Sequence, residues 1–313
     1  MSNQDSRFDF ERARRRAFLR AIRAAVQGRP NRLLSWEEVR EHLPLEGQVD
    51  RGLQSVPLEK IIGSVNRYRD FDRAFFPVQD HTADRWQAVS RALHSAEDLP
   101  PVRLFKLGDA YFVVDGNHRV SVAREEGFTH IEARVIEVQT RVPVTADVDA
   151  EDLEIIGEYA DFLQRTRLDE LRPDQRITFT IAGGYDRLLE HIAAHRYFMA
   201  LERERPVPED EAVMDWYDNV YMPVVRIIRK KRILKDFPNR TEADLYLWIM
   251  EHQHYIREEY GVDVGAEVAA AHFAEHYSAR LLRRIIHRLR TLLGRRMIES
   301  RSEEDGSQGH TTQ

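Results

Sequence analysis

Apolar positions recur with two different periods along this chain, and the change of period divides it. Phe10, Ala13, Ala17, Phe18, Ala21 and Ala25 fall near helical spacing with arginines between them, which predicts a basic amphipathic helix over 8–27. Ser35-Trp36-Glu37-Glu38 sets a hydroxyl three residues before a carboxylate, the capping-box arrangement, ahead of a helix over 36–42. Residues 52–71 read as extended and turn-rich, and Thr82 is placed to cap a helix running to about His94.

Strand-type patterning then takes over. Val102–Leu107 and Ala110–Val114 flank Gly108-Asp109, a tight-turn signal, and Ile131–Val138 alternates as a further strand. Between them, Gly127 ends a short helix. Past a connector at 140–150 the helical period returns. Helices are predicted over 151–164, through Glu202, over 209–236, over 242–260 from Thr241-Glu242-Ala243-Asp244, and over 264–298, with one short strand at Ile177–Ile181. From Ser302 the chain is polar and reads as a disordered tail.

The chemistry concentrates in Tyr111-Phe112-Val113-Val114-Asp115-Gly116-Asn117-His118-Arg119. An apolar strand ends in Asp-Gly, and a helix opens on an imidazole and a guanidinium. Unpaired N–H groups at a helix N-terminus favour anions, and adjacent cationic donors add to that, so the pattern predicts a phosphate site. Gly116 would let the backbone approach a phosphate. A turn with a surface salt bridge is the plainer alternative.

This stretch resembles the ParB/sulfiredoxin superfamily over about residues 50–140. Gly116-Asn117-His118-Arg119 is similar to the Gly-Cys-His-Arg turn of sulfiredoxin, and Asp115–Arg119 to the Asp-Gly-His-His-Arg turn of ParB-like free serine kinases. Val56-Pro57-Leu58-Glu59-Lys60-Ile61 resembles the domain's opening strand and first turn, and Thr241–Trp248 resembles uncharacterised bacterial proteins carrying a ParB-like domain. The resemblance implies a nucleotide-binding domain whose Gly116, Asn117, His118 and Arg119 receive the phosphates of a nucleoside triphosphate, ATP or CTP, with Mg²⁺. It implies NTPase or phosphotransferase chemistry on a small hydroxyl substrate, with Glu59 as base and Asp115 and His118 as further catalytic candidates. Asp115 could position Arg119, hold Mg²⁺ or cap the helix. Arg67, Arg69 and Arg73 are secondary phosphate candidates.

The departures narrow this. Sulfiredoxin's nucleophile is a cysteine at the position of Asn117, and the chain has no cysteine, so sulfinic-acid reduction is excluded. ParB has Glu-Arg-Arg where Asn117-His118-Arg119 stand, followed by a helix-turn-helix reader that this sequence lacks. The rival reading is a nucleotide-gated, DNA-associated regulator without small-molecule catalysis, and a scaffold that has lost its ligand also stays open.

Composition sets the class. At 313 residues, 42% hydrophobic and 32% charged, the chain is long enough for two domains. A net charge of −6 disfavours bulk nucleic-acid binding, although Arg280–Arg296 carries seven arginines beside an apolar stripe. No run approaches the roughly 18 apolar residues of a membrane span. Met1–Ser6 lacks a signal peptide's apolar core, so a cytoplasmic location is expected. His191/His195 and His272/His276 have i,i+4 spacing without a His-Glu-x-x-His motif, and no metal site is assigned. The expected fold is α+β: a helical extension at 1–49, a small mixed-sheet nucleotide-binding domain at 50–140, a mostly helical domain at 150–300 and a tail at 301–313. A homo-oligomer is allowed.

Overall fold

Six strands form one mixed sheet in the computed structural model, which describes residues 3–28, 30–95, 99–261 and 264–277. The strands are β1 (Leu34–Ser35), β2 (Gln48–Pro57), β3 (Ile61–Ser64), β4 (Val102–Leu107), β5 (Ala110–Asp115) and β6 (His130–Val138). Their order is β1-β3-β5-β4-β6-β2. β3 pairs parallel with β1 and β5, β4 is antiparallel to β5 and parallel to β6, and β2 returns antiparallel along the β6 edge. The architecture is α+β, and the chain divides into two units, 1–165 and 166–313.

In the first unit the helices are α1 (Asn3–Gln27), α2 (Trp36–His42), α3 (Ala83–His94), α4 (Asn117–Glu125) and the start of α5 (Ala150–Thr166). Period-2 patterning decides what each sheet face buries. Tyr111 and Val113 of β5 join Leu104, Val120, Val135 and Phe71 in the main core. Phe112 points the other way, with its ring 5.1 Å from that of Trp36, which also meets Phe105 at 4.9 Å. Ser35 caps α2 through the expected box with Glu38. Gly63 is required where β1 closes on β3, because a Cβ there would lie 2.4 Å from the Phe112 ring and 2.6 Å from the Leu34 carbonyl. The extended reading of 52–71 resolves into most of β2, a single turn at 58–60, β3 and a loop. Thr82 precedes α3 but makes no cap; its hydroxyl donates back to Gln79 O at 2.6 Å.

α1 docks through Phe10 and Ala13 onto Trp86 and Val122, and Trp86 Nε1 donates to Ser121 Oγ at 2.9 Å. Its arginines are largely committed. Arg12 and Arg16 both reach the buried Glu125, Arg20 reaches Asp72 at 3.1 Å and Arg14 reaches Asp80 at 2.8 Å.

The second unit holds α6 (Leu168–Leu171), α7 (Gly184–Glu202), α8 (Glu209–Trp216), α9 (Met222–Lys231), α10 (Glu242–Tyr260) and α11 (Ala266–Tyr277). Two sequence expectations change here. Ile177–Ile181 is not a strand. Its in-out alternation comes from packing among helices: Ile177 and Phe179 are buried, and Thr180 bonds Asp244 through its N–H (3.2 Å) and its hydroxyl (2.8 Å). The single helix expected over 209–236 is broken by a π-helical turn at 217–221 and ends in a 3₁₀ turn at 233–236. Pro223 lies in the first turn of α9 and has no N–H to offer, so the ladder is shifted where it meets the proline. Thr241 forms the expected cap with Asp244. The remainder of the helix read over 264–298, the Leu281–Arg296 arginines and the tail lie outside the described residues. No helix among those described is long and apolar enough to cross a membrane.

Glu125→Ala should lower stability by about 1–2 kcal/mol, less than for a fully buried pair because its arginine partners are half exposed. A chemical-denaturation midpoint shifted downward would show this. An unchanged midpoint would show that the Glu125 ion pairs add nothing measurable to the docking of α1.

Candidate functional site

β5 ends at Asp115, α4 starts at Asn117, and Gly116 between them has φ +111° and ψ 24°. A side chain there would be strained, and its Cβ would lie 2.6 Å from Val102 Cγ1 and 3.1 Å from Arg119 Nε. No side chain caps α4, so its first-turn N–H groups remain available to a ligand. They open onto a cavity of about 230 Å³ lined by Asn66, Arg67, Arg85, Val89 and residues 114–119.

Topology assembles this site. β3 and β5 run parallel with Ser64 opposite Val113, so the loop leaving β3 emerges beside the end of β5. Val65 N donates to Val113 O at 2.9 Å, which fixes that exit. Asn66 and Arg67 follow directly. Arg67 has φ +58°, an uncommon value for a non-glycine residue and a form of strain found at ligand sites. Arg85 arrives from α3 and makes no salt bridge among the described residues. Sequence reading missed Arg85, since only the packing of α3 against α4 brings it to the turn.

Two lining residues are buried with unsatisfied polar atoms. Asn117 is 7% exposed and its Oδ1 has no partner; His118 is 5% exposed and neither ring nitrogen has one. The His118 ring meets the edge of Phe71 at 5.4 Å. Burial, reinforced by Arg67 and Arg85, pushes the His118 imidazole down to about 4. His118 is therefore neutral at pH 7, with one nitrogen a donor and the other an acceptor. The sequence reading had it beside Arg119 as a plain phosphate donor.

The remaining candidates are placed differently from expectation. Arg119 gives Nη2 to Asp115 Oδ2 at 2.6 Å and Nη1 to the carbonyls of Pro101, at 3.1 Å, and Pro100. Its charge stays at the turn, but these donors are spent on holding the 100–101 segment. Asp115 thus positions Arg119, one of the three roles open to it. Glu59 is not brought to the site. It is exposed on the turn before β3, and its neighbour Lys60 bonds Asp109, at the opposite end of β5 from Gly116. A base on the cavity's substrate cannot sit there. Arg73 is half-buried away from the cavity and donates to the carbonyls of Ala146 and Val148, pinning the connector. Arg69 lies over the Tyr68 ring at 5.4 Å and does not line the cavity. Of the three secondary arginines only Arg67 does.

Residues 184–278 match a family model described as a domain of unknown function, DUF4032. No curated protein matches the chain. Among solved structures, the chain is similar to sulfiredoxin from Arabidopsis thaliana, at 18% identity and a TM-score of 0.21, covering 26% of this chain and 82% of that one. It is also similar to the C2221 form of a Pnob8-like ParB-N domain, at 13% identity and a TM-score of 0.19, covering 77% of this chain and 99% of that one.

Proposed function

We propose that the first unit binds a nucleotide, with the phosphates at the start of α4. The observation that carries this is a cavity in which guanidinium groups and buried, unsatisfied polar atoms meet. Arg85 and the first-turn N–H groups call for an anion, and Arg67, whose Nη1 also meets Asp70 Oδ2 at 3.3 Å, adds a further guanidinium at the cavity. Asn117 Oδ1 and the unprotonated His118 nitrogen call for an O–H donor. A nucleotide supplies both, through phosphate oxygens and ribose hydroxyls. A volume of about 230 Å³ is below the roughly 300–1,000 Å³ of a drug-sized site, so the cavity takes the phosphate end and the base lies outside it. Mg²⁺ would arrive with a triphosphate, since Asp115 is the sole carboxylate among the lining residues.

The same geometry favours binding over phosphoryl transfer. Asp115 is paired with Arg119 and Glu59 is remote, which leaves no free carboxylate base at the cavity. A nucleotide-gated regulator therefore fits better than a kinase. The basic face of α1 gives little support to DNA binding, because Arg12, Arg14, Arg16 and Arg20 are already paired with carboxylates.

Arg85→Ala and Arg67→Ala should each weaken triphosphate binding by about 1.5–3 kcal/mol, the scale of a hydrogen bond to a charged group. Glu59→Gln should leave affinity and any turnover unchanged. Calorimetry across ATP, CTP, GTP and UTP, with and without Mg²⁺, reads the affinities. Parental affinity in a folded Arg85→Ala protein would remove Arg85 from the site.

Proton linkage provides a second check. A bound phosphate stabilises the imidazolium and raises the His118 pKa above its free value of about 4. The resulting gain in affinity is present below the bound-state pKa and is lost as pH rises through it. Binding should tighten from pH 7 towards pH 5 with proton uptake, and His118→Gln should flatten this trend. Calorimetry in two buffers of different ionisation enthalpy measures the uptake. Identical proton counts for parent and variant would exclude His118 as its source.

A further inference from the structure

The second unit contains a cavity of about 450 Å³ that the proposed nucleotide site does not use. Its walls come from α7, the junction between α8 and the π-helical turn, and α10. π-Helical turns recur at functional sites because the inserted residue re-aims its neighbours, and this one contributes Val220 to the wall.

Hydrogen-bond bookkeeping assigns two of the lining nitrogens. Trp216 Nε1–H can only donate, and it meets the buried Tyr246 hydroxyl at 3.3 Å. The same hydroxyl lies 3.1 Å from His191 Nδ1. The arrangement that satisfies every group has Tyr246 O accepting from Trp216 and its O–H donating to His191 Nδ1. Burial keeps His191 neutral, so its proton sits on Nε2, which becomes a donor. His195 is one helical turn further along α7 and shows the opposite polarity. Its Nε2 lies 2.8 Å from Asp215 Oδ2 and must donate, because a carboxylate only accepts. Asn219 holds the other Asp215 oxygen at 3.1 Å. In the neutral imidazole, Nδ1 of His195 is then a lone-pair acceptor, with no hydrogen-bond partner among the described residues, and a carboxylate orients the ring.

We infer that this cavity binds a small molecule with an apolar body and a hydroxyl group, the hydroxyl donating to His195 Nδ1 and its oxygen accepting from His191 Nε2. The body lies against Val220 and Met250. The i,i+4 spacing places the two histidine Cβ atoms roughly 5–6 Å apart on one helix face, a separation that one hydroxyl can bridge. Two imidazoles are too few for a metal site, and no group of three or more His, Cys, Asp or Glu side chains placed to hold a metal ion occurs among the described residues. The site is independent of the nucleotide reading and stands or falls by itself.

Phenol and toluene are the probes, because they share an apolar ring and differ in the hydroxyl. With the full-length protein, phenol should bind saturably, shift the imidazole C–H resonances of His191 and His195 in NMR, and bind about fivefold or more tightly than toluene. His195→Gln, which lacks the ring acceptor, should reduce the phenol affinity to near that of toluene. Ala194→Phe places a ring on the exposed α7 face that lines the cavity. It should abolish binding of both probes without lowering the melting temperature. Absence of saturable phenol binding, equal affinity for phenol and toluene, or parental phenol affinity in either variant would overturn the proposal.

Discussion

The left-handed backbone at Gly116 is the constraint on which the first unit's chemistry depends. It turns the chain from β5 into α4 within one residue, against Val102, where no side chain fits. That reversal leaves the α4 N-terminus uncapped and puts Asn117 and His118 inside rather than on the surface. The adjacent parallel strand β3 delivers Asn66 and Arg67 to the same point. Without the reversal there would be no cavity at the start of α4 for Arg67 and Arg85 to line.

The energetic signature of the site is its incompleteness. Buried polar groups in folded proteins are nearly always paired, since each orphan costs about 1–3 kcal/mol. Asn117 and His118 break that rule side by side, in a cavity lined with positive charge. Arg119 illustrates the opposite case. Its guanidinium is bonded to Asp115 and to two proline-segment carbonyls, so its part is architectural. A guanidinium next to a glycine turn reads as a ligand in sequence, and only its hydrogen-bond partners distinguish the two roles.

What the sequence revealed was local. The hairpin around Gly108-Asp109, the strand–glycine–helix junction, the Ser35 capping box and the helix start at Thr241 follow from neighbouring residues, and all are present. Apart from the Thr82 cap, which does not form, the failures were tertiary. Glu59 was a candidate through the family resemblance alone, but parallel pairing puts strand starts together, so Glu59 sits with Asp109 at the far end. Arg73 looked free and is spent on the 146–148 carbonyls. Arg85 gave no signal at all, because α3 reaches the turn only through its packing on α4. Ile177–Phe179 alternated like a strand since burial between helices can imitate the two-residue period.

The most direct test of the account is backbone amide NMR of the full-length protein during titration with pyrophosphate. The account predicts that the amides of Asn117, His118 and Arg119 shift saturably and together, with Arg67 and Arg85 side-chain N–H signals moving alongside them. Shifts confined to surface arginines such as Arg69, with the three α4 amides unmoved, would contradict it.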